Sequence, residues 1–143
     1  MAIIKEKRIA ISSVIENLSP EGFTEGEPET TQVSSDGFLK IDGERLILSY
    51  TESREGERTY HEITVCSDGV VVSHRGSVVS DMTFREGEKT KTLYSIPPYS
   101  FDMTVLTKRI RSTLTKDGGR LDIFYEMNIG GQDKKVRMRI TVS

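Results

Sequence analysis

Apart from the single Cys66, the only side chains in this chain that titrate near neutral pH are His61 and His74. An imidazole can move a proton, ligate a metal or anchor a polar ligand. The turn signal Asp68-Gly69 stands between the two. If the chain folds back there, Ile63 lies opposite His74 and Val65 opposite Val72. His61 and His74 then share one face as diagonal neighbours, roughly 7–8 Å apart. That face also carries Ile63, Val65 and Val72, so it reads as inward. Each ring is then satisfied locally or anchors a bound ligand. A metal pair would need further ligands, and none falls on that face. Acid–base catalysis would need a third group to orient an imidazole, and none can be placed. No catalytic residue is therefore nominated. No cofactor is expected either, because no metal motif, phosphate-binding glycine loop, dinucleotide fingerprint or nucleophile elbow occurs.

Other side chains join the histidines as candidates. Tyr50, Tyr94 and Tyr125 bring hydroxyls to apolar faces, and a buried hydroxyl must find a partner. Met82, Met103, Met127 and Met138 fall on inward positions, where they fill a core or line an adaptable pocket. The candidate ligand-binding set is His61, His74, Tyr94, Tyr125, Met103 and Met127. Cys66 falls on the face opposite Val65 with no base beside it, and reads as a small structural residue. Asp81, Asp102, Asp122 and Glu126 show no pairing suited to acid–base work.

The elements that position these residues are strands. Helical periodicity is nearly absent, and strand formers alternate with polar residues between turn signals. Strands are expected over 7–16, 30–41 and 44–52, with Gly37 as a bulge or bend and Asp42-Gly43 as a hairpin turn. Residues 17–29, with Pro20, Gly22, Gly26 and Pro28, read as an acidic loop. Hairpins follow over 58–75 and 77–96. The Pro97-Pro98 corner then leads into the longest strand, 101–114. Turns centred on Asp117-Gly118 and Gly131-Gln132 set Leu114, Leu121 and Val142 in one row, and Ile110, Tyr125 and Met138 in another. The opposite face carries Arg109, Glu126 and Arg137 in one row, Arg111, Phe124 and Arg139 in another, and Asp122 between two threonines. One mainly apolar and one mainly polar face result, as a correct register requires. In the strand 101–114 the apolar positions change parity near Leu106–Lys108, which calls for a β-bulge. Long, bent, sequentially paired strands close into barrels. The expected fold is all-β: one domain over residues 1–143, a closed antiparallel up-and-down barrel of eight to ten strands, with the first and last strands adjacent.

Charge is unevenly spread. From Ile9 to Leu39 there is no Lys or Arg against six acids; from Lys108 to Arg139 nine basic residues stand against four acids. The two regions neutralise each other where the sheet closes, or the outer face of Arg109, Arg111, Arg137 and Arg139 meets an anionic partner. Few aromatics interleave with these bases and the net charge is −2, so nucleic acid is disfavoured. One cysteine excludes an internal disulfide. No stretch approaches the ~20 apolar residues of a membrane span, and the N-terminus lacks a signal-peptide layout, so a cytoplasmic protein is expected.

Arg75-Gly76, Met82-Thr-Phe84, Tyr94-x-Ile-Pro-x-Tyr99, Thr107 and Leu121-x-Ile-x-Tyr125-x-Met127 carry a resemblance. With Ser13-Val-Ile-Glu16 and Leu48-Ser-Tyr50-x-Glu52 they are similar to the pattern of the YwiB-like family of small uncharacterised bacterial proteins. The resemblance runs the length of the chain. It implies a calycin-like (lipocalin-like) barrel and no established activity. His74 stands where relatives often carry Arg, and Ser100 where they often carry Gly. The functional expectation is a non-enzymatic barrel that holds a small, largely apolar molecule inside, with its mouth near Pro97–Ser100 and the segment 17–29. The alternative is a filled barrel that uses its outer basic face on an anionic macromolecule.

Overall fold

Residues 2–143 are described by a computed structural model. The alternating pattern forms ten strands: β1 Ile3–Leu18, β2 Thr24–Asp42, β3 Arg45–Arg54, β4 Glu57–Cys66, β5 Gly69–Arg75, β6 Ser80–Phe84, β7 Lys89–Ile96, β8 Tyr99–Ser112, β9 Gly119–Ile129 and β10 Gln132–Val142. They make one antiparallel sheet in the order β6-β5-β4-β3-β2-β1-β10-β9-β8-β7. Every sequential pair except β6–β7 is a regular hairpin neighbour. The first and last strands are adjacent, running from Ile9 opposite Val142 to Asn17 opposite Lys134. The barrel is nearly closed, and its seam lies between β6 and β7. There Val79 and Ser95 exchange two backbone bonds of 2.9 Å, and the Thr90 hydroxyl donates to the Thr83 carbonyl.

Inward residues of alternate positions make one core. Leu39, Leu48, Phe84, Leu121, Ile123 and Ile140 are fully buried in it. Phe84 of β6 and Tyr125 of β9 meet across the interior with ring centroids 4.7 Å apart, so the barrel is filled at that level. The parity change in β8 is a bulge, because the β8–β9 register shifts between Thr107 and Arg109 and leaves Lys108 as the extra residue.

Three expectations change. The β9–β10 loop is Gly130-Gly131, with φ of 59° and 85°, because a tight turn of the hairpin-compatible kind needs positive φ at both central residues. Tyr125 therefore faces Val136, and Leu121 faces Ile140. The β8–β9 turn is displaced alike: Thr115 bridges Gly118, so the chain turns at Lys116-Asp117 rather than at Asp117-Gly118, and Ile110 faces Ile123. Both registers move by two, so the rows change while residues keep their faces, except at the bulge, where Thr107 turns inward opposite Tyr125. Asp122 thus lies between Arg139 and Arg111 rather than between threonines. It is buried, and accepts from Arg139 Nε at 2.8 Å and approaches Arg120 Nε at 3.1 Å. The expected rows around Glu126 also change: Glu126 lies between Lys135 and Leu106, and Phe124 between Arg137 and Arg109.

The acidic segment 17–29 is mostly strand. Only Ser19–Phe23 turns, and β2 begins at Thr24. Gly37 marks a divergence rather than a bulge. The β2–β3 ladder runs only from Phe38 opposite Ser49 to Asp42 opposite Arg45, whereas β2 stays paired with β1 as far as Thr24. A Cβ at Gly37 would collide with the Ser49 carbonyl oxygen and lie 2.7 Å from Ile9 Cδ1. The absent side chain is what lets the three strands crowd together where β2 leaves β3.

Candidate functional site

The β3–β4, β5–β6 and β7–β8 connections gather at one end of the barrel, and the two histidines lie just inside it. His61 on β4 and His74 on β5 are directly opposite in the ladder, not diagonal, because the β4–β5 loop is Ser67-Asp68 and Cys66 faces Gly69. Gly69 belongs to β5. A Cβ there would press 2.5 Å from the Phe84 carbonyl oxygen, so this glycine permits close approach of β6 rather than making the turn.

The two Nδ1 atoms are 2.6 Å apart. Nitrogens that close must share a hydrogen, so one donates and the other accepts. His61 Nε2 lies 3.3 Å from Glu52 Oε1, off the line of a good hydrogen bond. The nearby carboxylate favours a hydrogen on that Nε2, which leaves Nδ1 of a neutral His61 as an acceptor. We therefore assign the donor to His74 Nδ1, and Nε2 of His74 is left as a bare acceptor. The chain Glu52–His61–His74 runs across three adjacent strands. Glu52 supplies the orienting group that the sequence reading could not place.

The surroundings hold this order. Tyr50 stacks on His61 with ring centroids 4.5 Å apart and planes 16° apart. The His61 and His74 rings meet edge-on at 80°. Burial lowers the proton affinity of His61, and Glu52 opposes it. His74 is brought down to about 4, first by burial, next by the neighbouring His61; Arg75 adds to this, while Glu52 and Asp81 oppose it. Two protonated rings would set two N–H groups against each other, so the pair carries one extra proton at most. At neutral pH both rings are uncharged. Burial also pushes the Tyr50 hydroxyl up to about 12, helped by Glu52, and raises Tyr94.

The pair forms a wall of a cleft of about 220 Å³ with Glu52, Thr59, Ser77, Val78 and Tyr94. Thr59 and Ser77 link their hydroxyls at 2.8 Å. Ser80, opposite His74 in the β5–β6 ladder, is buried and its hydroxyl has no protein partner. Thr59 Oγ1 also accepts from the Ser77 N–H at 3.2 Å, so the cleft presents a linked pair of hydroxyls and the Tyr94 hydroxyl beside the His74 ring.

Of the six candidates, His61, His74 and Tyr94 come together here. Tyr125 and Met103 lie in the packed core, where burial raises the Tyr125 hydroxyl. Met127 is half-buried beside a separate recess lined by Leu18, Ser19 and Pro20. Sequence reasoning missed Glu52, Thr59, Ser77 and Ser80. Glu52 was findable, since it continues the inward parity of Leu48 and Tyr50 and so puts an acid on an apolar face.

On the outer face, Phe124 is flanked by Arg109 and Arg137, while Arg139 is committed to Asp122. A groove of about 360 Å³ there mixes Lys108, Lys135 and Arg137 with Glu16 and Glu126. The acidic and basic ends of the chain meet at Glu16, opposite Lys135 in the β1–β10 ladder.

Residues 17–141 match the family described as "Domain of unknown function (DUF1934)". The chain is 26% identical over 132 residues to the uncharacterised β-barrel protein YwiB of Bacillus subtilis (strain 168), covering 92% of this chain and 88% of that protein. It is similar to the crystal structure of ywiB protein from Bacillus subtilis with a TM-score of 0.85 at 25% identity, covering 98% of this chain and 92% of that one.

Proposed function

The chain belongs to the DUF1934 family of YwiB-like β-barrels, and from that premise we propose that it binds a small hydrogen-bonding molecule in the cleft beside His61 and His74. The observation that carries the reading is the Glu52–His61–His74 chain, with its 2.6 Å contact between the rings. Desolvating two imidazoles costs free energy that an apolar pair at the same positions would not cost. The chain fixes both tautomers and so offers one oriented acceptor, His74 Nε2, beside the Thr59, Ser77 and Tyr94 hydroxyls. A ligand that donates one hydrogen bond to the ring and accepts from the hydroxyls fits this array.

The interior level occupied by Phe84 and Tyr125 leaves little room for the largely apolar guest expected from the sequence. The reading therefore moves the ligand to the mouth, with Val78 and the Tyr94 ring as its apolar wall. Nothing in the array requires chemistry on the bound molecule.

Native mass spectrometry tests this, run beside a solvent extract of the same sample, for the wild type and His74→Phe. An adduct of up to a few hundred daltons on the wild type, absent from the variant, supports the site. An adduct that persists in His74→Phe refutes it. If neither carries an adduct, the His61 and His74 ring signals are followed by NMR against a library of small polar fragments. No shift in any mixture also refutes it.

A further inference from the structure

A second opening in the wall lies along β2. N-terminal to Phe38, β2 pairs only with β1, so its other edge is free. A free edge presents a row of unpaired N–H and C=O groups, and proteins usually blunt such edges with Lys, Pro, bulges or a covering element. Here the tip of the hairpin is blunted. Pro28 lies on β2, and the β1–β2 register shifts between Ile15 and Asn17. From Glu29 to Gly37 there is no Lys, Pro or bulge, and the only charges are Glu29 and Asp36. The stretch reads Glu-Thr-Thr-Gln-Val-Ser-Ser-Asp-Gly, in regular register with β1, and Glu29 to Gln32 are all exposed.

Its charge selects the occupant. No Lys or Arg lies between Ile9 and Leu39, and Glu25, Glu27 and Glu29 enter no ion pair among the described residues. Asp36 is met only by the exposed Arg8, at 3.0 Å. A second copy pairing antiparallel about Gln32 and Val33 would set Glu29 opposite Asp36, acid against acid. Like charges directly opposed across a ladder are destabilising. The edge thus discourages its own copy and favours a strand of opposite charge.

We propose that the β2 edge from Glu29 to Gly37 accepts an extended, basic segment of another polypeptide, which adds a strand to the barrel wall. Main-chain bonds supply the affinity, and Glu29 and Asp36, at the two ends of the stretch, select Lys or Arg.

The probe is a synthetic peptide of about eight residues, Lys alternating with Thr and Val, added to the full chain. Amide exchange is followed residue by residue. Only alternate amides of a strand point to a given edge, so those between Thr30 and Ser35 that face away from β1 should slow by roughly tenfold or more at saturation. A peptide of the same sequence and charge, N-methylated along one edge and presented by that edge, should leave them unchanged. The double variant Glu29→Lys, Asp36→Lys should lose the basic peptide and gain a Glu-containing one. Equal response to the methylated peptide overturns the proposal in favour of charge attraction alone. No slowing overturns it outright. Slowing that rises with protein concentration and needs no peptide overturns it in favour of self-pairing.

Discussion

Acidification should weaken this fold through His74. An exposed histidine in the unfolded chain titrates at 6.5, and His74 in the barrel at about 4. The folded ring holds its proton less tightly than the unfolded one. Between pH 6.5 and 4 the unfolded state therefore carries more protons, so stability falls as pH falls. Full expression of the shift from 6.5 to about 4 is worth roughly 3 kcal/mol, and going from pH 7 to pH 5 expresses about 2 kcal/mol of it. The groups facing the ring sharpen this: the neighbouring imidazole and Arg75 oppose a proton, while Glu52 and Asp81 favour it. His61 adds a loss of the same sign, since its proton affinity is also lowered. Asp81 is held below the usual carboxylate value of 3.8, so its own loss comes at lower pH. The assay is urea unfolding at pH 7 and pH 5 for the wild type and for His74→Asn, whose amide can still donate to His61 Nδ1. The wild type should lose about 2 kcal/mol and the variant less than half of that. By NMR the His74 ring should titrate well below His residues in a reference peptide. A wild type equally stable at both pH values, or an identical loss in the variant, refutes the reasoning.

Two stability predictions follow from close contacts elsewhere. Gly37→Ala forces a Cβ against the Ser49 carbonyl and Ile9, and should cost roughly 2 kcal/mol or more in urea unfolding; a loss within error of zero would show that β2 can shift there. Thr107 is fully buried and its hydroxyl has no protein partner, so Thr107→Val should be neutral or stabilise by up to about 1 kcal/mol, and a clear loss of stability would reveal an unseen partner for that oxygen.

The fold was legible because period-two alternation is a wall signal, and ten strands in sequence leave few ways to close. What the sequence could not settle was the position of each loop to within one residue. Asp68-Gly69, Asp117-Gly118 and Gly131-Gln132 looked like turn centres, but the chain turns at Ser67-Asp68, Lys116-Asp117 and Gly130-Gly131. An error of one residue in a loop moves the register by two, which keeps every side chain on its face and changes its neighbour. The inward set thus survived, whereas the pairings changed: Asp122 gained two arginines, and His61 came to lie opposite His74. Glycine is ambiguous in this way because it serves both positive φ and close approach. Gly131 uses the first, with φ of 85°, and Gly69 the second, against the Phe84 carbonyl.

The same ambiguity at Gly37 links the two openings in the wall. Its missing Cβ lets β2 pass over Ile9 and Ser49, and β2 then parts from β3. Beyond Ser49, Tyr50 to Arg54 keep β4 as their only ladder partner. That stretch carries Tyr50, which stacks on His61, and Glu52, which orients it. The opposite end of the barrel is tied down: Lys5 reaches Asp117 at 3.2 Å, and Arg8 and Ser143 exchange two backbone bonds. The end where β2 has left the wall is therefore the less tied of the two. The gap that opens at Gly37 thus leaves without a second ladder partner the same stretch of β3 that carries Tyr50 and Glu52 to the imidazole pair.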